Sequence, residues 1–150
     1  MDRVLERIAA LKNSFNTHDS VTLFDVRLES LELLNTSPPL LSLAVVKAVA
    51  KPEFMVYSDL KCGKITQGGI SFAIANFAGV YAAMVHTEKH TPLCRSRMEF
   101  LGPIKEGDEI VAKATAQRMS NLIINVDFEI FVDNERKLFG NAHYRDDKKK

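Results

Sequence analysis

From Leu93 onward the chain alternates apolar and polar residues with a period of two. Cys94, Ser96, Met98 and Phe100 interleave with Arg95, Arg97 and Glu99. Ile110, Ala112, Ala114 and Ala116 interleave with Val111, Lys113, Thr115 and Gln117. Leu122, Ile124, Val126, Phe128, Ile130 and Val132 share a segment with Asn125, Asp127 and Glu129. Leu138, Gly140, Ala142 and Tyr144 alternate with Lys137, Phe139, Asn141, His143 and Arg145. A period of two sends successive side chains to opposite faces of a sheet, so this half predicts four strands. Ser120-Asn121 and Asp133-Asn134-Glu135-Arg136 read as tight connections, and Gly102 to Asp108 as a longer loop. Connections this short make the strands antiparallel.

The first half is less regular. Val4, Ile8, Leu11 and Phe15 share one face of a helix over residues 2–15, with Arg3, Glu6, Arg7 and Lys12 elsewhere. Asn16 to Ser20 break it. Residues 21–35 fit either period. Thr36-Ser37-Pro38-Pro39 is a stop. Leu40 to Ala50, with Val45, Val46 and Val49, reads as a strand. Pro52 interrupts it, and Phe54 to Tyr57 resume it, which marks a bulge or an edge. Ser58 to Thr66 form a polar loop.

Between the halves, Gln67-Gly68-Gly69 opens a helix that runs through Phe72, Asn76 and Gly79 toward Val85. It is apolar on every side, so burial all round is expected. Asn76 is its only amide. A buried amide must be hydrogen-bonded. Its partner is either a ligand or a neighbouring strand. A helix of this kind needs a wall on each side, which a curved sheet and a second copy of the chain would supply. The expected fold is α+β: a curved antiparallel sheet wrapped around one long central helix, about residues 69–86, with an extra N-terminal amphipathic helix. The expected division is an N-terminal helix over 1–20, one domain over 21–145 and a solvated charged tail over 146–150.

Composition narrows the function. A net charge of +1 gives no pull toward nucleic acid or a membrane surface. The apolar helix has about 17 residues, at the lower limit for a span and without flanking anchors. No secretory leader is read at Met1. Cys62 and Cys94 lack metal-site spacing, which suits a reducing cytoplasm. His86 and His90 lie four apart with Glu88 between, but Thr91-Pro92 end the helix there. No metal and no resident cofactor is expected, and His143 reads as a surface residue.

The layout resembles the hotdog fold of acyl-CoA thioesterases and acyl-thioester dehydratases over about residues 40–145. Gln67-Gly68-Gly69 is similar to the His-Gly-Gly turn of phenylacetate-type thioesterases. Gly102 to Asp108 is similar to the loop before a long strand in that family. The family's helix carboxylate, its base or nucleophile, falls on Asn76, and its histidine on Gln67. Neither amide accepts a proton at useful pH. Phe72-Ala73-Ile74-Ala75-Asn76 is also similar to the helix of acyl-CoA-sensing repressors of fatty-acid synthesis in Gram-positive bacteria. Their domain binds malonyl-CoA without hydrolysing it. No DNA-binding segment accompanies it here. A further likeness is to flagella-co-regulated hotdog proteins tied to virulence in Campylobacter-type bacteria.

The resemblance implies a homodimer, or dimer of dimers, that binds acyl-CoA, with a CoA thioester as ligand and no catalytic residue. The expected binding residues are Asn76, Gln67, Gly68, Gly69, Phe72 and Phe100, with Arg95 and Arg97 toward the CoA phosphates. A sensing or regulatory role follows. Two alternatives stand beside it. One is a true thioesterase whose base is Glu99, Asp127 or Glu129. The other is a protein-interaction module with an unused groove.

Overall fold

Among the described residues, the segment amphipathic on one face and the segment apolar throughout become helices, and most of the remainder is sheet. The structure, a computed structural model, describes residues 1–15, 24–56, 63–87 and 91–146. Helix α1 spans Asp2–Phe15 and helix α2 spans Gly68–Met84. The strands are β1 (Arg27–Leu33), β2 (Leu41–Val49), β3 (Met55–Val56), β4 (Ile65–Thr66), β5 (Leu93–Phe100), β6 (Glu109–Arg118), β7 (Ile123–Val132) and β8 (Glu135–Arg145). Six of them form one antiparallel sheet in the order β1-β2-β6-β7-β8-β5. β3 and β4 pair separately, after a single 3-10 turn at Pro52–Phe54.

The helix lies across β2, β6 and β7. Small residues allow this close seat. Ala44 and Ala48 on β2, and Ala112, Ala114 and Ala116 on β6, are all buried beneath it. Ala75, Ala78 and Ala82 are among the buried residues of α2. Larger side chains, Phe128, Ile124 and Leu138, fill the sheet beyond. α1 covers a second side: Ile8, Leu11 and Phe15 are buried, and the Phe15 ring meets Tyr81 edge-on at 4.6 Å.

β1 explains its own ambiguity. Leu28 pairs with Val46 and Leu31 with Ala44, so residues three apart face the same side. A β-bulge between Leu28 and Ser30 inserts the extra residue, and the period of two is locally lost. At the other end, Asp133 (φ 49°) and Asn134 (φ 63°) make the two-residue β7–β8 turn, with left-handed residues that match the sheet twist.

Two features narrow the expectations and one corrects them. Within one chain α2 is not buried on every side: Gly69 is exposed, and Phe72, Ala73, Asn76 and Val80 are half-buried along one face, the part that the expected second copy would have to cover. The sheet and α1 cover only part of its circumference. β5 has no buried face either: it is an edge strand paired to β8 alone, and α2 approaches it at its end, where Gly68 meets Phe100. Finally, Asp146 does not belong to a solvated tail. It is buried and ion-paired to Arg118 at 2.6 Å. Residues 147–150 lie outside the described residues. Among the described residues, no helix is long and apolar enough to cross a membrane.

Candidate functional site

The first turn of α2 is left open. Gln67 is its N-cap residue, and its side chain makes no capping bond. Its carbonyl accepts from Ile70 N–H (2.9 Å) and Ser71 N–H (3.2 Å), which closes the turn. The N–H groups of Gly68 and Gly69 meet no acceptor among the described residues. Unpaired N–H groups at a helix N-terminus attract electron-rich atoms, with the helix dipole adding to the pull. Beside them lies a cleft of about 470 Å³, lined by Thr66, Gly68, Ser71, Phe100, Ile104 and Leu138 among others. Gly68 has a packing reason to be glycine: a Cβ there would stand 3.1 Å from Phe100 Cζ. The Thr66 hydroxyl oxygen is buried in this wall without a partner among the described residues.

Asn76 sits about two turns further along. Its Oδ1 accepts a 2.6 Å hydrogen bond from the Tyr144 hydroxyl. Tyr144 is fully buried on β8, and burial pushes its phenol well above the usual range, so it stays protonated. The approach depends on Gly79, where a Cβ would fall 2.6 Å from the tyrosine oxygen. The strand partner foreseen as one option for Asn76 is therefore present, and it takes the amide oxygen. Nδ2 has no partner among the described residues.

The expected residues do not converge on one point. Gly69 and Asn76 share a face of α2 but are seven residues apart, about 10 Å along the axis. Gly68 and Phe100 meet at the cleft, and Gln67 is exposed at its edge. Phe72 lies on the open face of α2, its ring 6.3 Å from Phe128. Arg95 and Arg97 stand apart. They pair in register with His143 and Asn141, on the outer face of the sheet, whereas Phe100 pairs with inward Leu138. Arg97 is bound to Glu99 at 3.3 Å.

The alternative bases are on that outer face too. Asp127 accepts from Asn141 Nδ2 at 2.7 Å, and Glu129 from Arg136 at 2.9 Å. Along β5 to β8 the carboxylate in register with an inward residue is Glu135, opposite Val132 at the exposed hairpin end. His86, at the opposite end of α2, has Nε2 within 2.9 Å of Ser42 Oγ and 3.0 Å of the Ala116 carbonyl. Ser42 already donates to the Ala82 carbonyl at 2.8 Å. A carbonyl oxygen can only accept, and the Ser42 proton is given to Ala82, so Nε2 carries the proton. Burial is the largest of the effects that lower the His86 pKa. Glu88 and His90 lie outside the described residues, and no group of three potential metal ligands occurs among the described ones.

Tyr144 and Thr66 were not singled out from the sequence. For Tyr144 a signal existed. It is a phenol on an otherwise apolar strand face, and Asn76 is the one amide of the helix that the face must cover. Each needs a partner that its own element lacks.

Comparisons with known proteins bear on the fold. A sequence profile described as Thioesterase superfamily matches residues 63–139. No curated protein gives a significant match. Among solved structures, the PaaI protein of the phenylacetic acid degradation operon of E. coli superposes with a TM-score of 0.72 at 15% identity, covering 98% of this chain and 95% of that one. A thioesterase from Haemophilus influenzae gives 0.67 at 15% identity, covering 89% and 85%. A variant of the phenylacetic acid degradation protein PaaI from Thermus thermophilus gives 0.64 at 17% identity, covering 86% and 99%. At such identities these likenesses show a shared fold.

Proposed function

We propose a function from one premise: the chain belongs to the thioesterase superfamily and has its hotdog fold. The protein is an acyl-CoA-binding homodimer that does not turn its ligand over efficiently, and it serves a sensing or regulatory role in the cytoplasm. The observation that carries this reading is Asn76. Where the resemblance implies a carboxylate, the chain has an amide, and that amide is hydrogen-bonded through its oxygen to Tyr144. An amide cannot take a proton from water, so the side chain can orient a thioester but not activate a nucleophile.

The rest of the site supports binding. The thioester oxygen is placed at the open Gly68 and Gly69 N–H groups or at Asn76 Nδ2, and the acyl chain against Phe72 and Phe100. A second copy covers the half-buried face of α2 and the bare inner face of β5, completing a groove that one chain leaves open. Arg95 and Arg97, on the outer face, serve the CoA phosphates only where the groove continues around the edge of β5.

Hydrolysis is the reading that family membership favours, and one assay separates the two. Purified protein is titrated with acyl-CoAs from acetyl to palmitoyl while free thiol is followed in the same sample. Binding without thiol release is the expected result. Enzyme-like release that Asn76→Ala abolishes would overturn the proposal. Light scattering during gel filtration checks the dimer.

A further inference from the structure

We infer that Tyr144 is a positioning residue that fixes Asn76 as a one-way hydrogen-bond donor, so that the site selects ligands carrying an acceptor at that point. The inference rests on the reading that Asn76 lines an acyl-thioester site. A side-chain amide can turn about its last bond and offer either its oxygen or its NH2. Here the choice is made by burial. The Tyr144 hydroxyl is fully buried, and its one acceptor among the described residues is Asn76 Oδ1 at 2.6 Å. With the amide turned over, Nδ2 would donate to the tyrosine oxygen, and the phenolic proton would have no acceptor. Stranding a buried donor is unfavourable, so the observed orientation is the stable one.

Gly79 is the third member of the device. One turn along α2 from Asn76, it lets the tyrosine oxygen reach the helix surface, where a methyl group would stand 2.6 Å from it. The amide oxygen is then used, and Nδ2 is left for what enters the half-open face of α2. A thioester carbonyl satisfies it. A thioether of the same length, with a methylene in place of the carbonyl, does not. A carboxylate at position 76 would present acceptors only and would repel that carbonyl.

The test pairs each acyl-CoA from acetyl to palmitoyl with the S-alkyl-CoA thioether of equal chain length and measures Kd by calorimetry. Wild-type protein is expected to prefer the thioester about fivefold, the worth of one hydrogen bond. Tyr144→Phe keeps the ring and removes the oxygen. It should bring that ratio close to one while thioether affinity stays within about twofold. Gly79→Ala, which displaces the hydroxyl without deleting it, should move the ratio the same way. A purely structural tie would weaken both ligands together and leave the ratio unchanged, which overturns the inference. So does a wild-type ratio near one. Failure of wild-type protein to bind any CoA ligand overturns the acyl-CoA reading itself, an outcome distinct from binding that ignores Tyr144.

Discussion

Arg118 and Asp146 form an ion pair behind the last turn of α2, with Nη2 and Oδ2 2.6 Å apart. The same guanidinium donates to the His86 carbonyl, and Arg7 donates to the Val85 carbonyl at 2.8 Å. Thr87 Oγ1 donates to Asp146 Oδ1 at 2.7 Å. Two arginines thus satisfy carbonyls that the helix leaves without intrahelical partners, and they oppose the negative end of its dipole. Asp146→Ala removes the arginine's counter-charge and the carboxylate that accepts from Thr87 Oγ1. Arg118 keeps about a third of its side-chain exposure, so the expected loss is about 2 kcal/mol, below that for a fully buried pair. Urea unfolding measures it. Asp146→Asn should lose less, since it still accepts from Thr87. A loss under about 0.5 kcal/mol is the size expected for an exposed pair and would contradict this account.

His86 ties stability to pH. Its folded pKa lies below the ordinary 6.5, chiefly because burial disfavours the charged ring, with the Arg118 and Arg7 charges acting in the same direction and the Ala116 carbonyl against it. A lowered folded pKa means that the unfolded chain binds the proton more readily. The stabilisation is therefore complete above about pH 6.5 and is lost as pH falls through the folded value. Urea midpoints should drop below about pH 6.5 in wild-type protein and drop less in His86→Gln. Parallel pH profiles for the two proteins would remove the assignment.

Gly140 fixes how β5 joins the sheet. A Cβ there would stand 2.3 Å from the Arg97 carbonyl oxygen and 2.8 Å from Phe128 Cε2. The first obstacle is backbone and cannot rotate away. Gly140→Ala should cost about 2 kcal/mol or more through overpacking, and should loosen β5 before the other strands. Amide exchange resolved by residue is the check. Unchanged protection in Leu93–Phe100 would count against it.

Periodic patterns made most of this fold legible. The boundaries of α1, α2 and β5 to β8 follow from alternation and helical spacing, because those signals are local. What escaped was non-local. Bulged β1 breaks its own period, so the pairing of Leu28 and Leu31 to one side resembled a helix. Asp146 looked solvated because Arg118 is distant in sequence. The apolar pattern of α2 stated what seeks cover and called for a second copy, without stating which face one chain leaves open. The same alternation had already placed Arg95 and Arg97 opposite Phe100, so the three could not line one cleft within a single chain.

The Tyr144 hydroxyl also limits what a restored carboxylate could do. In Asn76→Asp the phenol would donate to an anion, and a hydrogen bond to the charged form lowers a carboxyl pKa. A carboxylate so stabilised is a weaker base and a poorer nucleophile. Asn76→Asp alone should therefore release little thiol from acyl-CoA. Adding Tyr144→Phe removes the donor, leaves the ring in place and puts the carboxylate in an apolar wall, which raises its pKa toward neutrality. The double variant should hydrolyse faster than the single one, by about tenfold if one pKa-shifting hydrogen bond separates them. Thiol release at saturating acyl-CoA, with folding checked by circular dichroism, gives the comparison. Equal rates, or a faster single variant, would show that Tyr144 does not govern the chemistry available at position 76.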